Sequence, residues 1–270
     1  MTAGQFLRMG TDVLKANAVA SARLDCLVLI EDCLNRDRAW LLAHPETKIS
    51  TEQLRKLNKR LARRAKHEPL AYIRGFSEFY GRRFKVNKRV LEPRPESETM
   101  IDLLKKLPLG SKPAIADVGT GSGCLGITAA LELHDPNIDL YDIDSAALAV
   151  ARHNSVMHEV HLHAYKRDLL RRVTKSYDVI LANLPYVPTT WKINEAAKAE
   201  PRLAIFGGKD GLDVYRRLFE QLAKLDKKPA FVLTESLPPQ HQALIKIART
   251  AGYRKLRSRD FIQVFSYQKS

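Results

Sequence analysis

The sequence predicts an α/β protein, a mostly parallel sheet flanked by helices and preceded by a small all-α domain. Three observations carry that expectation. Apolar stripes at helical spacing fill the first 68 residues, and no glycine occurs from Thr11 to Tyr72. From Ala114 onward short apolar runs alternate with helical stretches, as in strands joined by crossover helices. The first of those runs ends directly in a glycine-rich turn, Gly119 to Gly126.

Within the first segment, Phe6, Met9, Val13 and Leu14 mark one helix, and Leu24, Leu27, Val28 and Leu34 a second. Leu54, Leu57, Leu61 and Ala65 mark a third. His44-Pro45-Glu46 breaks the pattern before it, and Ser50 or Thr51 can accept the free N–H groups at its start. Residues 1–70 are therefore expected to form a compact helical domain. In 71–95 the glycines Gly75 and Gly81 and the aromatics Tyr72, Phe76, Phe79, Tyr80 and Phe84 suggest short extended pieces. The prolines of Leu91-Glu92-Pro93-Arg94-Pro95-Glu96 hold the backbone extended. This segment reads as a hairpin-like linker, leaving 96–270 as the sheet domain. Its strands are expected over Ala114–Val118, Ile138–Asp142, Tyr177–Asn183, Pro229–Glu235 and Ile262–Tyr267. Helices are expected over Leu148–His153, Asp213–Leu225 and Gln240–Ala251.

No stretch approaches the roughly 18 apolar residues that span a bilayer, and the N-terminus lacks a basic-then-apolar leader. Cys26, Cys33 and Cys124 are scattered, odd in number and without metal-ligand spacing. A reduced, cytoplasmic protein without a metal site follows. The net charge is +15, and 48–89 carries fourteen Lys or Arg against three Glu. Such a segment either attracts a phosphate-rich partner, ribosome or RNA, or is a solvated helix face.

Asp117-Val118-Gly119-Thr120-Gly121-Ser122-Gly123 lets the chain turn sharply at a strand end and present helix N–H groups to a ligand. Asp142, at the end of the second strand, can accept hydrogen bonds from ribose hydroxyls, whereas Asp144 falls beyond it as a helix cap. Dinucleotide enzymes share both features, and Gly121 to Gly126 also fits their G-x-G-x-x-G. What decides the chemistry is Asn183-Leu184-Pro185-Tyr186, placed after the third run. The Asn183 carbonyl can accept one N–H of a planar NH2 group and a main-chain carbonyl at Leu184 or Pro185 the other, while Tyr186 lies against the plane. An amide or aniline-like nitrogen is a poor nucleophile, and fixing both protons turns its lone pair toward an activated methyl. Methylation of such a nitrogen from S-adenosylmethionine is the expected activity.

The chain resembles the HemK/PrmC family, which methylates the glutamine amide of the Gly-Gly-Gln motif in peptide-chain release factors. The resemblance rests on Ala22-Arg23-Leu24-Asp25, Glu68-Pro69-Leu70-Ala71-Tyr72-Ile73-Arg74-Gly75, Phe79-Tyr80-Gly81 and Arg94-Pro95-Glu96-Ser97-Glu98. Asp117–Gly123, Glu200-Pro201 and Phe206-Gly207-Gly208-Lys209-Asp210-Gly211 extend it. It implies a Rossmann-like, seven-stranded methyltransferase domain acting on a release factor in translation termination, with S-adenosyl-L-homocysteine as by-product and a monomer in solution. It implies that Gly119, Thr120, Gly121, Ser122 and Gly123 cradle the methionine part of the cofactor and Asp142 the ribose. Asp168 and Leu169 would border the adenine. Asn183 would touch both cofactor and substrate, with Leu184, Pro185 and Tyr186 completing the glutamine pocket. Asn183, Pro185 and Tyr186 are the catalytic candidates, while Arg94, Glu96 and Glu200 would support the site.

Two features depart from the family. Leu184 stands where the family usually has the first proline of Asn-Pro-Pro-Tyr, and Asn-Leu-Pro-Tyr is also typical of ribosomal RNA adenine dimethyltransferases. Arg259-Asp260-Phe261-Ile262-Gln263-Val264 lacks a longer loop and an arginine expected before the last strand. An RNA adenine-amino methyltransferase and a degenerate, non-catalytic ribosome-associated paralogue are the alternatives. The helical N-terminal segment and Arg94-Pro95-Glu96 favour glutamine over adenine.

Overall fold

The computed structural model describes residues 1–268, so the last two positions of the expected 96–270 domain lie outside the described residues. The chain forms two compact units, Met1–Gly75 with Ile193–Ala199, and Phe76–Lys192 with the chain from Glu200 on.

In the first unit the helices are α1 (Ala3–Ala16), α2 (Ala22–Leu34), α3 (Arg38–Ala43), α4 (Thr51–Ala65) and α5 (Leu70–Arg74). Ser50 caps α4 by accepting the Gln53 N–H, and Gln53 reaches back to the Ser50 N–H. Such a reciprocal cap satisfies two orphan donors at once. Phe6, Leu14, Leu29, Leu57 and Leu61 meet in one apolar core. The unpaired positive charge of 48–89 is smaller than the sequence count suggests. Arg64 pairs with Asp25, Arg74 with Asp32 and Arg82 with Glu132, acids that lie outside 48–89.

The second unit opens with a hairpin of β1 (Phe76–Phe79) and β2 (Arg82–Lys85). The expected linker thus begins as helix α5, and its hairpin is packed rather than free. Phe79 and Phe84 are fully buried against Met100, Ile101 and Leu104. Helix α6 (Glu98–Leu104) leads to β3 (Ala114–Val118), α7 (Cys124–Glu132), β4 (Asn137–Asp142), α8 (Ser145–Met157), β5 (His163–Lys166) and β6 (Val179–Ala182). After the short α9 (Glu195–Lys198) and α10 (Arg202–Ile205) come α11 (Asp213–Lys224), β7 (Phe231–Glu235), α12 (His241–Thr250), β8 (Tyr253–Arg259) and β9 (Ile262–Tyr267).

Seven strands lie in the order β5-β4-β3-β6-β7-β9-β8, with β9 antiparallel to its neighbours β7 and β8 and the other pairs parallel. The period-2 alternation of strands splits the core into two layers. Ala116, Val118, Ile180, Ala182 and Val232 face α11 and α12, whereas Ile115, Val179, Leu181 and Leu233 face α6 and α7. The chain runs from β3 outward to β4 and β5, then returns to β6 on the other side of β3. That reversal opens a crevice at the carboxyl ends of β3 and β6. Pairing of Val118 with Ala182 sets Gly119 beside Asn183 at its mouth.

Candidate active site

The crevice is a cleft lined by the glycine loop, the ends of β4 and β6, Asp168, Leu169 and the 89–97 segment. The loop is built by backbone bonds. The N–H groups of Gly119 and Thr120 both donate to the Tyr141 carbonyl, at 2.8 and 2.9 Å, and Gly123 N–H closes the turn on Thr120 at 2.8 Å. Gly121 has φ +55°, and no atom lies within 4 Å of where a Cβ would stand. A ligand can therefore approach this backbone directly.

Asp142 follows the loop closely. One of its oxygens takes the Gly121 N–H and the other the Asp144 N–H, each at 2.9 Å, so each oxygen keeps a further lone pair. Burial raises its carboxyl above the ordinary value. Asp144 caps α8 by accepting the Ala146 N–H at 2.8 Å, as the sequence suggests. Asp168 pairs with Arg217, and Leu169 is buried with φ +55°.

Beneath the loop, Asp117 is buried and accepts the Thr120 hydroxyl at 2.6 Å and the Gly126 N–H at 2.9 Å. Burial nevertheless lifts its carboxyl from 3.8 to about 6. The folded state then holds this proton more tightly than the unfolded chain. Its stabilising contribution is complete below pH 3.8 and is lost as pH rises through about 6. Urea unfolding of Asp117→Asn should show a shallower loss of stability across that window than the wild type. An unchanged slope would place the titration elsewhere.

Asn183 follows β6 and Nδ2 of its side chain donates to the Ser97 hydroxyl at 2.9 Å. Ser97 donates to Glu235 Oε2 at 2.5 Å, and the Tyr186 hydroxyl donates to Glu235 Oε1 at 3.1 Å. Burial and the neighbouring Glu235 charge push the Tyr186 phenol well above its usual value. Gln240 holds the Tyr186 carbonyl at 2.8 Å. Among the described residues no donor takes the carbonyls of Leu184 or Pro185. The Leu184 side chain is 2% exposed and packs in the core, so only its main chain can serve a ligand in the cleft. Leu184 N–H donates to the Tyr215 hydroxyl at 3.1 Å. Arg94 donates to the buried Glu200 at 2.5 Å, and Glu200 also accepts the Glu92 N–H at 3.1 Å. That pair ties down the 89–97 wall of the cleft.

Gly119–Ser122, Asp142, Asp168, Leu169, Asn183, Leu184 and Pro185 thus all border one cleft, with Tyr186 beside it, whereas Gly123 does not line the cleft and faces Ile127 and Ala151. Ser97, Glu235 and Tyr215 escaped the sequence reading. The available signal was Glu235 itself, an acid at the carboxyl end of an apolar strand, where ligand sites of such sheets gather.

Residues 5–75 match the family model "PrmC N-terminal domain", and residues 97–199 match "Methyltransferase small domain". The chain is 34% identical over 240 residues to the release factor glutamine methyltransferase of Coxiella burnetii, covering 88% of this chain and 87% of that protein. It is 35% identical over 241 residues to the release factor glutamine methyltransferase of Koribacter versatilis, covering 87% and 86%. Among solved structures, ribosomal protein L11 methylase from Lactobacillus delbrueckii subsp. bulgaricus superposes with a TM-score of 0.51 at 17% identity, over 72% of this chain and 90% of that one. The last likeness is one of fold.

Proposed function

The chain belongs to the release factor glutamine methyltransferase family, and we propose that it methylates the side-chain amide nitrogen of the Gly-Gly-Gln glutamine in peptide-chain release factors through the cleft at Asn183. The observation that carries this reading is the orientation of Asn183. Its nitrogen donates to Ser97 and also lies against the Glu235 carboxylate, so the carbonyl oxygen is turned the other way, with no donor on it among the described residues.

The cleft fits S-adenosylmethionine in two respects. Gly121 leaves its backbone open to a ligand, and Asp142 keeps lone pairs beside it. In this reading Gly119 to Gly123 hold the methionine part, Asp142 the ribose hydroxyls, and Asp168 and Leu169 the adenine edge. When bound, the cofactor supplies a methyl group activated by its sulfonium.

Asn183 Oδ1 accepts one amide proton of the substrate glutamine. The carbonyl of Leu184 or Pro185 accepts the other, and Tyr186 flanks the plane of the amide. With both protons held, the nitrogen lone pair points at the methyl, and the two acceptors stabilise positive charge as the bond forms. The lone pair of the amide nitrogen forms the bond to the methyl, the C–S bonding pair stays with the departing thioether, and the extra proton of the nitrogen passes to bulk water. No metal is needed for this step, because the leaving group is already good.

The exposed cations Arg55, Lys56 and Lys59 on α4 support approach to a phosphate-rich assembly, a steering effect that salt would weaken. No helix among the described residues is long and apolar enough to cross a membrane.

The test is incubation of the protein with methyl-labelled cofactor and either a purified release factor or stripped ribosomal RNA. Label on the release-factor glutamine is the expected result. Label confined to RNA overturns the proposal.

A further inference from the structure

We propose that Glu235 is a positioning residue that sets, through Ser97, which end of the Asn183 amide faces the substrate. The inference rests on the reading of Asn183 as the acceptor of a substrate amide proton.

The reasoning follows the donors. An ionised carboxylate accepts hydrogen bonds and donates none. The Ser97 hydroxyl lies 2.5 Å from Glu235 Oε2, so its single proton is committed there. Only lone pairs remain for Asn183, and a lone pair selects Nδ2 over Oδ1. The 2.9 Å contact is therefore an N–H···O bond, and Oδ1 is left for the cleft. The oxygen and nitrogen of an asparagine side chain are almost the same size, so packing alone does not choose between them. Remove the carboxylate and Ser97 can donate to Asn183 Oδ1 instead. The NH2 of Asn183 then confronts the NH2 of the substrate, donor against donor.

Glu235 serves a second group in the same way. Its Oε1 accepts the Tyr186 hydroxyl at 3.1 Å, which fixes the ring that flanks the substrate amide. Both Ser97 and Glu235 are about 1% exposed, so water does not compete for these bonds. A buried carboxylate is costly to hold. Two hydroxyl donors and the Asn183 NH2 offset that cost, and a carboxylate that accepts from Asn183 favours Nδ2 on this side just as Ser97 does.

The relay has a pH signature. Burial holds the Glu235 carboxyl above its ordinary range, and Glu96 on the adjoining turn adds to that shift. The other titratable groups around it are Tyr186 after β6, Tyr215 on α11 and Cys124 at the start of α7, with Arg94 acting on Tyr186. Once Glu235 takes a proton it can donate to Ser97, and the selection of Nδ2 is lost. Transfer should therefore fall on the acid side. Asp117 and Asp142, also raised by burial, belong to the glycine loop, and their effect persists when Glu235 is replaced.

The experiment measures single-turnover transfer to a release factor at saturating S-adenosylmethionine across about pH 5 to 8 for wild type, Glu235→Gln and Ser97→Ala. Thermal unfolding monitors the fold, and calorimetry monitors binding of S-adenosylhomocysteine. Both variants are expected to lose at least about tenfold in rate while keeping cofactor affinity within about twofold. Glu235→Gln should also flatten the acid limb. Rates within about threefold of wild type with the limb unchanged would overturn the relay. If Glu235→Gln does not fold, Ser97→Ala decides by rate alone. A wild type that does not methylate the release factor refutes the reading of the site, whereas an active wild type with unaffected variants refutes only the relay.

Discussion

Asn183→Ala is expected to slow methyl transfer by roughly 100- to 1000-fold, the loss seen when one preorganised polar partner is removed from a reacting centre. In the proposed reading the substitution deletes the Oδ1 acceptor, and with it one of the two bonds that would hold the substrate amide in plane. The nitrogen then keeps its lone pair delocalised and poorly aimed. Cofactor binding should change far less, because the glycine loop is held by backbone bonds to Tyr141 and Thr120 that do not involve Asn183. The expected pattern is a collapse of the single-turnover rate with little change in the dissociation constant for S-adenosylhomocysteine. Stability should also move little, because Asn183 is only half-buried and Ser97 retains Glu235. Asn183→Asp is a useful companion. It keeps the oxygen facing the substrate but sets a second carboxylate across Ser97 from Glu235, so it should recover part of the rate at most. Transfer by Asn183→Ala at wild-type speed would remove Asn183 from the chemistry.

The strands that were legible in the sequence are those whose faces are covered. β3, β4, β6, β7 and β9 read as apolar runs because helices or neighbouring strands bury them. β5 and β8 were not located, and both are sheet edges. β8 carries Arg254, Lys255, Arg257 and Arg259 and is exposed along nearly its whole length. Charge at an edge discourages pairing with another chain, but it also erases the apolar signal from which a strand is recognised. The helical stripes failed in a different way. Val13 and Leu24 fit the spacing yet are exposed, at 36% and 47%, because α1 turns Gly10 and Thr11 inward and α2 turns Cys26 inward. Small residues permit close helix approach, as Gly10 does against Cys26, and an apolar stripe read from large side chains passes over them.

For the site, legibility followed contiguity. The glycine loop and Asn183-Leu184-Pro185-Tyr186 are local in the chain, so their chemistry can be read from order alone. Ser97 and Glu235 are 138 residues apart and meet only once the sheet has brought the end of β7 beside the turn before α6. Nothing in the local sequence around either residue announces the other.

Leu184→Pro, which would convert the tetrapeptide to the Asn-Pro-Pro-Tyr that the family resemblance implies, is expected to destabilise the protein by about 3 kcal/mol. Two losses combine. Leu184 N–H donates to the Tyr215 hydroxyl, and proline has no N–H to replace it. Tyr215 is fully buried and its hydroxyl also faces the carbonyls of Ala182 and Glu235, so water cannot substitute. An unpaired lone pair there costs about 1–3 kcal/mol. The second loss is packing. Leu184 Cδ2 lies 2.7 Å from where a Cβ on Gly119 would stand, so the leucine fills the space that the glycine leaves. The smaller ring vacates part of it, at about 1–2 kcal/mol for the methyl groups removed. Proline's stiffer unfolded chain returns about 0.4–1 kcal/mol, which leaves the net loss intact. A double-mutant cycle with Tyr215→Phe isolates the hydrogen bond. In the wild-type background that change orphans the Leu184 N–H, whereas beside proline there is no N–H to orphan. Tyr215→Phe should therefore cost less in the Leu184→Pro background, with a coupling of about 0.5–1.5 kcal/mol in urea unfolding. Strict additivity of the two changes would show that Leu184 contributes its side chain alone, and that its N–H does not brace Tyr215.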